Sequence, residues 1–159
     1  VDTGALRELT EIVGEEYLST RKDVLLTYSA SASTSYERRF PSAVIRPANT
    51  QQTSDILRVA NKYRIPVTPR SGGSSLQGEV IPTENGLVVD LLRLDEIEVF
   101  PKLRAVKVGA GVSFGRLDKH LLQYDAWVPV YPGSSLTATL AGNVAVNGSG
   151  FGSSRFGCI

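Results

Sequence analysis

The 159-residue chain has no methionine, one cysteine (Cys158) and one histidine (His120). A single cysteine excludes a disulfide framework and a cysteine metal cluster. A lone cysteine usually packs as a small hydrophobe, so Cys158 is expected to be buried. One histidine and one cysteine give no transition-metal site and no Ser–His or Cys–His nucleophile system. Basic blocks are missing too: Lys and Arg number 17 against 16 Asp and Glu, with the signs interspersed. Nucleic acid is therefore not expected as a partner. No apolar run is long enough to cross a bilayer, and no signal peptide is visible. The expected location is the cytoplasm, with peripheral membrane association left open. No glycine loop is followed by Gly-Lys-Ser/Thr, so there is no P-loop. Asp90 and Asp95 stand too isolated to form an acid–base pair, and no catalytic residue is assigned. The chain starts at Val1 and stops at Ile159, just after a glycine-rich stretch. It is expected to be the N-terminal part of a longer protein.

What is present centres on one loop, Pro69-Arg70-Ser71-Gly72-Gly73-Ser74-Ser75-Leu76-Gln77-Gly78. Consecutive glycines let backbone N–H groups converge without Cβ obstruction, which makes an anion nest. Ser74 and Ser75 add hydroxyl donors. That chemistry suits a phosphate or pyrophosphate, although a Gly/Ser surface loop has the same composition.

The flanking pattern gives the loop a setting. Residues 4–13 fit an amphipathic helix with Ala5, Leu6, Leu9, Ile12 and Val13 on one face. Residues 29–35 read as loop. Ala43-Val44-Ile45 reads as a buried strand stopped by Arg46-Pro47. Asn49 or Thr50 caps a helix from Gln51 to Tyr63, with Ile56, Leu57, Ala60 and Tyr63 inward. A strand over 65–68 completes a βαβ unit, and the glycine loop follows it. Leu87–Leu91 is another buried run. Glu98–Phe100 and Arg104–Val108 read as two strands with a tight connection. Ser113 caps a helix to about Gln123, with Phe114, Leu117, Leu121 and Leu122 inward. Ala126–Tyr131 reads as a last strand. Residues 136–157 are rich in small side chains and are expected to hold a helical turn or two.

Gly109-Ala110-Gly111-Val112-Ser113-Phe114-Gly115 has a strand before it and a helix after it, as a Rossmann site does. Its third glycine falls one place late, and no acid ends the next strand. Gly109 and Gly111 are therefore read as a tight strand-to-helix turn.

Four segments in order resemble one family: residues 43–70, the loop at 69–78, Val108–Val112 (VGAGV) and Tyr131–Gly150 (YPGSSLTATLAGNVAVNGSG). The family is the FAD-linked oxidases, typified by vanillyl-alcohol oxidase and p-cresol methylhydroxylase. The D-lactate dehydrogenase and glycolate oxidase FAD-subunit branch is the most similar. The resemblance implies an α+β fold: an FAD-binding domain of two α/β subdomains holding FAD between them, the second subdomain incomplete here. Arg70, Ser71, Gly72, Gly73, Ser74 and Ser75 resemble the pyrophosphate loop, with Pro69 and Gln77 as flanking cofactor contacts. Pro132, Gly133 and Ser134, then Gly142 and Asn143, resemble its second wall. Ala145, Asn147 and Gly150 fall in the flavin-proximal stretch.

The 2-hydroxy-acid members commonly read P-R-G-x-G-T-S, whereas here Ser71 and Ser74 stand at the first Gly and the Thr. Gly-Gly is common where Ala141-Gly142 stands. Ser74 also occupies the place of the linking histidine in R-S-G-G-H flavoproteins, so FAD is expected to bind without a covalent bond. The expected layout is a helical lead-in at 1–39 and an FAD-binding domain at 40–159. Its first subdomain runs over about 40–92 and its second from about 98. A substrate domain of the same chain is expected after 159. The implied function is oxidation of a small 2-hydroxy acid to the 2-keto acid by hydride transfer to flavin N5. The alternatives are an FAD enzyme acting on a sugar lactone, an aryl alcohol or an enolpyruvyl sugar, and a non-catalytic nucleotide-binding module. A homo-oligomer or an electron-accepting partner is left open.

Overall fold

The computed structural model describes residues 1–159. The chain divides into two compact units, Val1–Arg93 and Leu94–Ile159.

The first unit is built on four strands: β1 (Leu18–Ser19), β2 (Ala43–Ile45), β3 (Val67–Arg70) and β4 (Leu87–Asp90). Their order in the sheet is β1-β2-β4-β3. β4 runs parallel to both β2 and β3, and β1 pairs antiparallel with β2. Every residue of β4 is buried, as expected of a continuous apolar run in a sheet covered on both faces. The pleat sorts the side chains by turns. Ala43, Ile45, Leu87 and Val89 pack with Ala5, Leu9 and Val13 of α1 (Thr3–Val13), and with Ile56, Val59 and Ala60 of α3 (Thr50–Lys62). Val44 and Val88 face the other side, against Leu25 of α2 (Lys22–Thr27). Residues 1–39, read as a lead-in, thus supply a strand and a helix on each face of this sheet.

Local chemistry sets the element ends. The Asp2 carboxylate caps α1 by accepting from the Gly4 and Ala5 N–H groups. Asn49 Oδ1 caps α3 by accepting from Gln52 N at 2.9 Å. The Glu8 carboxylate then ties α1 to α3, accepting from Lys62 Nζ and the Tyr63 hydroxyl, each at 2.7 Å.

Three readings of this unit change. Leu57 is exposed and Val59 is buried instead: residues 56, 59 and 60 share an arc, and 57 lies about 100° round the helix from 56. The strand after α3 begins two residues later, at Val67. Arg64 adopts φ 53° and Ile65 N–H donates back to Ala60 O, so residues 64–66 close the helix end. Pro69 and Arg70 belong to β3 rather than to the loop. Proline is accommodated there because β3 is an edge strand.

In the second unit β5 (Ile97–Phe100) and β6 (Ala105–Val108) form an antiparallel pair joined by a single 3-10 turn. Ser113 caps α4 (Phe114–Leu121) through Arg116 N. Val112, Leu117 and Leu121 form a small core with Ile97, Val99, Val106 and Val108. Leu122 is 74% exposed instead of inward: it lies about 100° round from Leu121, outside the arc shared by Phe114, Leu117 and Leu121. Ala126–Tyr131 is not a strand. Its burial alternates, but its only pairing is one bridge, Tyr131 to Phe151. Pro129 and Pro132 remove ladder donors on either side. Two short helices follow, α5 (Leu140–Ala145) and α6 (Ser153–Phe156). Cys158 is exposed, not buried. No helix is long and apolar enough to cross a membrane.

Candidate functional site

The glycine loop starts at Ser71, at the C-terminal end of parallel strand β3, where ligands bind in open α/β sheets. Ser71, Gly72, Gly73, Ser74 and Ser75 are half-buried, while Leu76 and Gln77 are exposed. From Gly72 to Leu76 no backbone N–H is given to a backbone carbonyl. This is the donor set an anion nest requires. Gly73 sits at φ 62°, and a Cβ there would lie 2.8 Å from Arg70 Nε and Nη2. Glycine takes that backbone and that approach without displacing the guanidinium. Ser75 is tied down at both ends: its carbonyl accepts from Ala32 N at 3.3 Å and its hydroxyl from Gln77 N at 3.2 Å.

Beneath the loop lies a polar group that the sequence reading did not find. The Tyr28 hydroxyl donates to Asp90 Oδ2 at 2.6 Å, and Asp90 Oδ1 accepts from Leu92 N at 2.9 Å. Asp90 is buried at the end of β4 and stands opposite Arg70 in the sheet register. Burial, and then the hydrogen bond to Asp90, push the Tyr28 phenol up to about 12. The Arg70 guanidinium turns under the loop, donating from Nη1 to Ala30 O at 2.9 Å, with its carbon 5.4 Å from the centre of the Tyr28 ring. Burial lowers its pKa from the ordinary arginine value. An aspartate ending the apolar run Leu-Val-Val was the available signal, since a buried carboxylate demands a donor. Its partner stands 62 residues away, too far for local pattern to find.

In the second unit the predicted residues sort into two kinds. Gly133 and Ser134 are exposed, and their N–H groups go to no backbone carbonyl. The others spend theirs inside the unit. Gly142 N donates to the α5 cap, Thr139 Oγ1, at 3.2 Å. Asn143 N donates to Thr139 O, Asn147 N to Val144 O, and Gly150 N to Ser153 Oγ. Pro132 O accepts from Ser135 N, which closes the turn. Ala145 ends α5, exposed. The Asn143 Nδ2 is buried without a partner, and a Cβ at Gly148 would come within 2.0 Å of Asn143 Oδ1. This asparagine is thus packed onto glycine backbone with an unused donor.

His120 lines an open groove with Asp95, Glu96, Arg116 and Lys119. Arg116 is ion-paired with Asp95 there. No His, Cys, Asp and Glu grouping in the chain could hold a metal.

The family described as "FAD binding domain" matches residues 41–159. The chain belongs to the FAD-binding domain family. A D-lactate dehydrogenase of Archaeoglobus fulgidus is 37% identical over 116 residues, covering 73% of this chain and 26% of that protein. The glycolate oxidase subunit GlcD of Bacillus subtilis is 30% identical, covering 94% of this chain and 32% of its own length. Among solved structures, an alkyldihydroxyacetonephosphate synthase superposes on the whole chain with TM-score 0.91 at 22% identity, over 32% of its own length. A p-cresol methylhydroxylase covers 93% of the chain with TM-score 0.80 at 22% identity, over 30% of its own length. The likeness at those identities is one of fold, and it is the expected fold of the vanillyl-alcohol oxidase and p-cresol methylhydroxylase type. The chain spans about a third or less of the length of these relatives.

The family's cofactor, FAD, fits the donors present. A diphosphate asks for several N–H and hydroxyl donors; Gly72–Ser75 offer N–H groups given to no backbone carbonyl, and Ser74 and Ser75 add hydroxyls.

Proposed function

We propose that this chain is the FAD-binding portion of a flavin-dependent oxidoreductase that oxidises a small 2-hydroxy acid, of the D-lactate or glycolate class, to its 2-keto acid. The observation that carries the reading is the loop after β3, with its unspent N–H groups and Gly73 at φ 62°, in a chain of the FAD-binding domain family. The substrate class rests on relatives named D-lactate dehydrogenase and glycolate oxidase.

FAD, when bound, supplies an acceptor for the hydride leaving the substrate carbon. The residues of this chain bind and orient it. Gly72, Gly73, Ser74 and Ser75 hold the diphosphate through backbone N–H and hydroxyl donors, with Pro69, Arg70, Ser71 and Gln77 framing them. In the second unit, Gly133 and Ser134 offer two donors in the turn after Pro132. Asn143 offers its amide, and Gly142, Ala145, Asn147 and Gly150 are further cofactor contacts. No side chain in residues 1–159 is assigned the substrate's proton. The base and the groups that clamp the substrate carboxylate belong to a domain that continues the chain after Ile159. The cofactor is held non-covalently, since Ser74 stands where a linking histidine would.

The test is reductive titration of the FAD-loaded full-length protein under anaerobic conditions. D-lactate and glycolate are expected to bleach the flavin, and aryl alcohols and sugar lactones to leave it oxidised. Acid precipitation is expected to release all flavin. Bleaching by an aryl alcohol or a lactone alone would refute the substrate class, and colour kept in the pellet would refute non-covalent binding.

A further inference from the structure

We propose that Arg70 is a positioning residue for the cofactor loop, acting through Gly73 and the Tyr28–Ala30 backbone rather than as a ligand of the phosphates. The inference rests on the FAD-binding reading of that loop.

The geometry argues against a phosphate ligand. Arg70 is the one cation in the glycine loop motif, and its charge would suit a diphosphate. Its guanidinium is directed elsewhere. Nη1 donates to Ala30 O at 2.9 Å and reaches Tyr28 O at 3.5 Å. Its plane lies by the Tyr28 ring. Its other edge, Nε and Nη2, backs directly onto Gly73, 2.8 Å from the place a Cβ would take. The guanidinium therefore fills the space beneath Gly73 and ties that space to the 28–30 backbone.

The support continues inward. Tyr28 is held by its hydroxyl on Asp90, and Asp90 by the Leu92 N–H and by its place in β4, opposite Arg70. Further along, Ala32 N donates to Ser75 O. Segment 28–32 is thus fastened to segment 70–75 at two points, Arg70 at one end and Ser75 at the other. Between these points lie Gly72, Gly73 and Ser74, whose N–H groups must converge on an anion. A planar fork that donates to carbonyls on one edge and fills space on the other is a task for arginine. The compact ammonium of lysine does not reproduce it.

The experiment measures FAD affinity of the full-length protein against ionic strength, for the unsubstituted protein, Arg70→Ala and Arg70→Lys, with circular dichroism to confirm folding. Both variants are expected to bind FAD about tenfold more weakly, the scale of losing hydrogen bonds from a charged group. Both are expected to keep the salt dependence of the unsubstituted protein, because no phosphate contact has been removed. If Lys restores affinity to within about twofold, a point charge suffices and the inference fails. A flattened salt dependence in Arg70→Ala, or unchanged affinity in both variants, also overturns it. Where these variants do not fold, Tyr28→Phe keeps the guanidinium and loosens only its platform. It too is expected to weaken FAD binding without altering the salt dependence, and unchanged affinity there overturns the inference. Absence of FAD uptake by the unsubstituted protein would overturn the proposed function, and this inference with it.

Discussion

The two units carry their glycine-rich segments on different foundations. In the first, the loop leaves a four-stranded sheet whose central strand is buried throughout and covered by helices on both faces. In the second, the corresponding residues stand on turns, single bridges and two helices of six and four residues. Its regular sheet has two strands, and an isolated pair is marginal without further packing. Exposure leans the same way: Leu122 and Leu103 of the second unit are 74% and 73% exposed, against 66% for Leu76, the most exposed large apolar residue of the first. Leu136 is 83% exposed, and Trp127 and Phe151 are each 62% exposed, all in the second unit. A strained glycine can be held rigidly where the scaffold beneath it is overdetermined. Where the scaffold is thin, the segment's own hydrogen bonds must hold it, which is why Gly142, Asn143, Asn147 and Gly150 spend their donors internally.

The largest effect should come from the strained point of the first unit. Gly73→Val places a β-branched side chain at φ 62° and against the Arg70 guanidinium. Flavin content after reconstitution is expected to fall below detection, while circular dichroism stays that of a folded protein. Normal FAD occupancy would show that the two foundations do not differ in the way argued.

Next comes the scaffold itself. Ile56 is fully buried between α3 and the sheet. Ile56→Ala is expected to cost about 2–5 kcal/mol in denaturant unfolding, from lost burial and a residual cavity. A loss under 1 kcal/mol, about the cost of a mere Ile→Val truncation, would mean the first unit is not the rigid partner.

The Tyr28–Asp90 pair gives a smaller, pH-dependent effect. Tyr28→Phe leaves Asp90 Oδ2 buried without its donor and is expected to cost about 1–3 kcal/mol. The phenol is raised to about 12 in the folded state, from about 10 in the unfolded chain. The folded state therefore holds this proton more tightly. Its contribution is whole below pH about 10 and is lost as pH rises towards about 12. Unfolding curves across that window should show the loss in the unsubstituted protein and not in Tyr28→Phe.

The smallest effect is expected at the most exposed apolar residue of the second unit. Leu136→Ala should change stability by no more than about 0.5 kcal/mol, since little surface is buried there to lose. A cost equal to that of Ile56→Ala would show that this residue is packed in solution, and the contrast between the units would weaken.

By itself the sequence determined what depends on neighbours. The amphipathic period of α1, the Asn49 and Ser113 caps, the strand–helix–strand order around α3 and the glycine loop after β3 are all set within a few residues. The family likeness was legible in the same local segments. Even there, phase errors arose where an apolar residue lay beside the buried arc, as at Leu57 and Leu122. The continuous apolar run over 126–131 imitated a strand, but only Tyr131 finds a bridge partner, Phe151. Only the tertiary structure decided that β4 inserts between β2 and β3. Strand order depends on hydrogen bonds between segments distant in the chain, which no local pattern encodes. The same holds for the Tyr28–Asp90 contact and for the inward turn of Arg70. A guanidinium beside a glycine loop reads from sequence as a phosphate ligand, and only its burial against the Ala30 carbonyl and the Tyr28 ring shows what it holds.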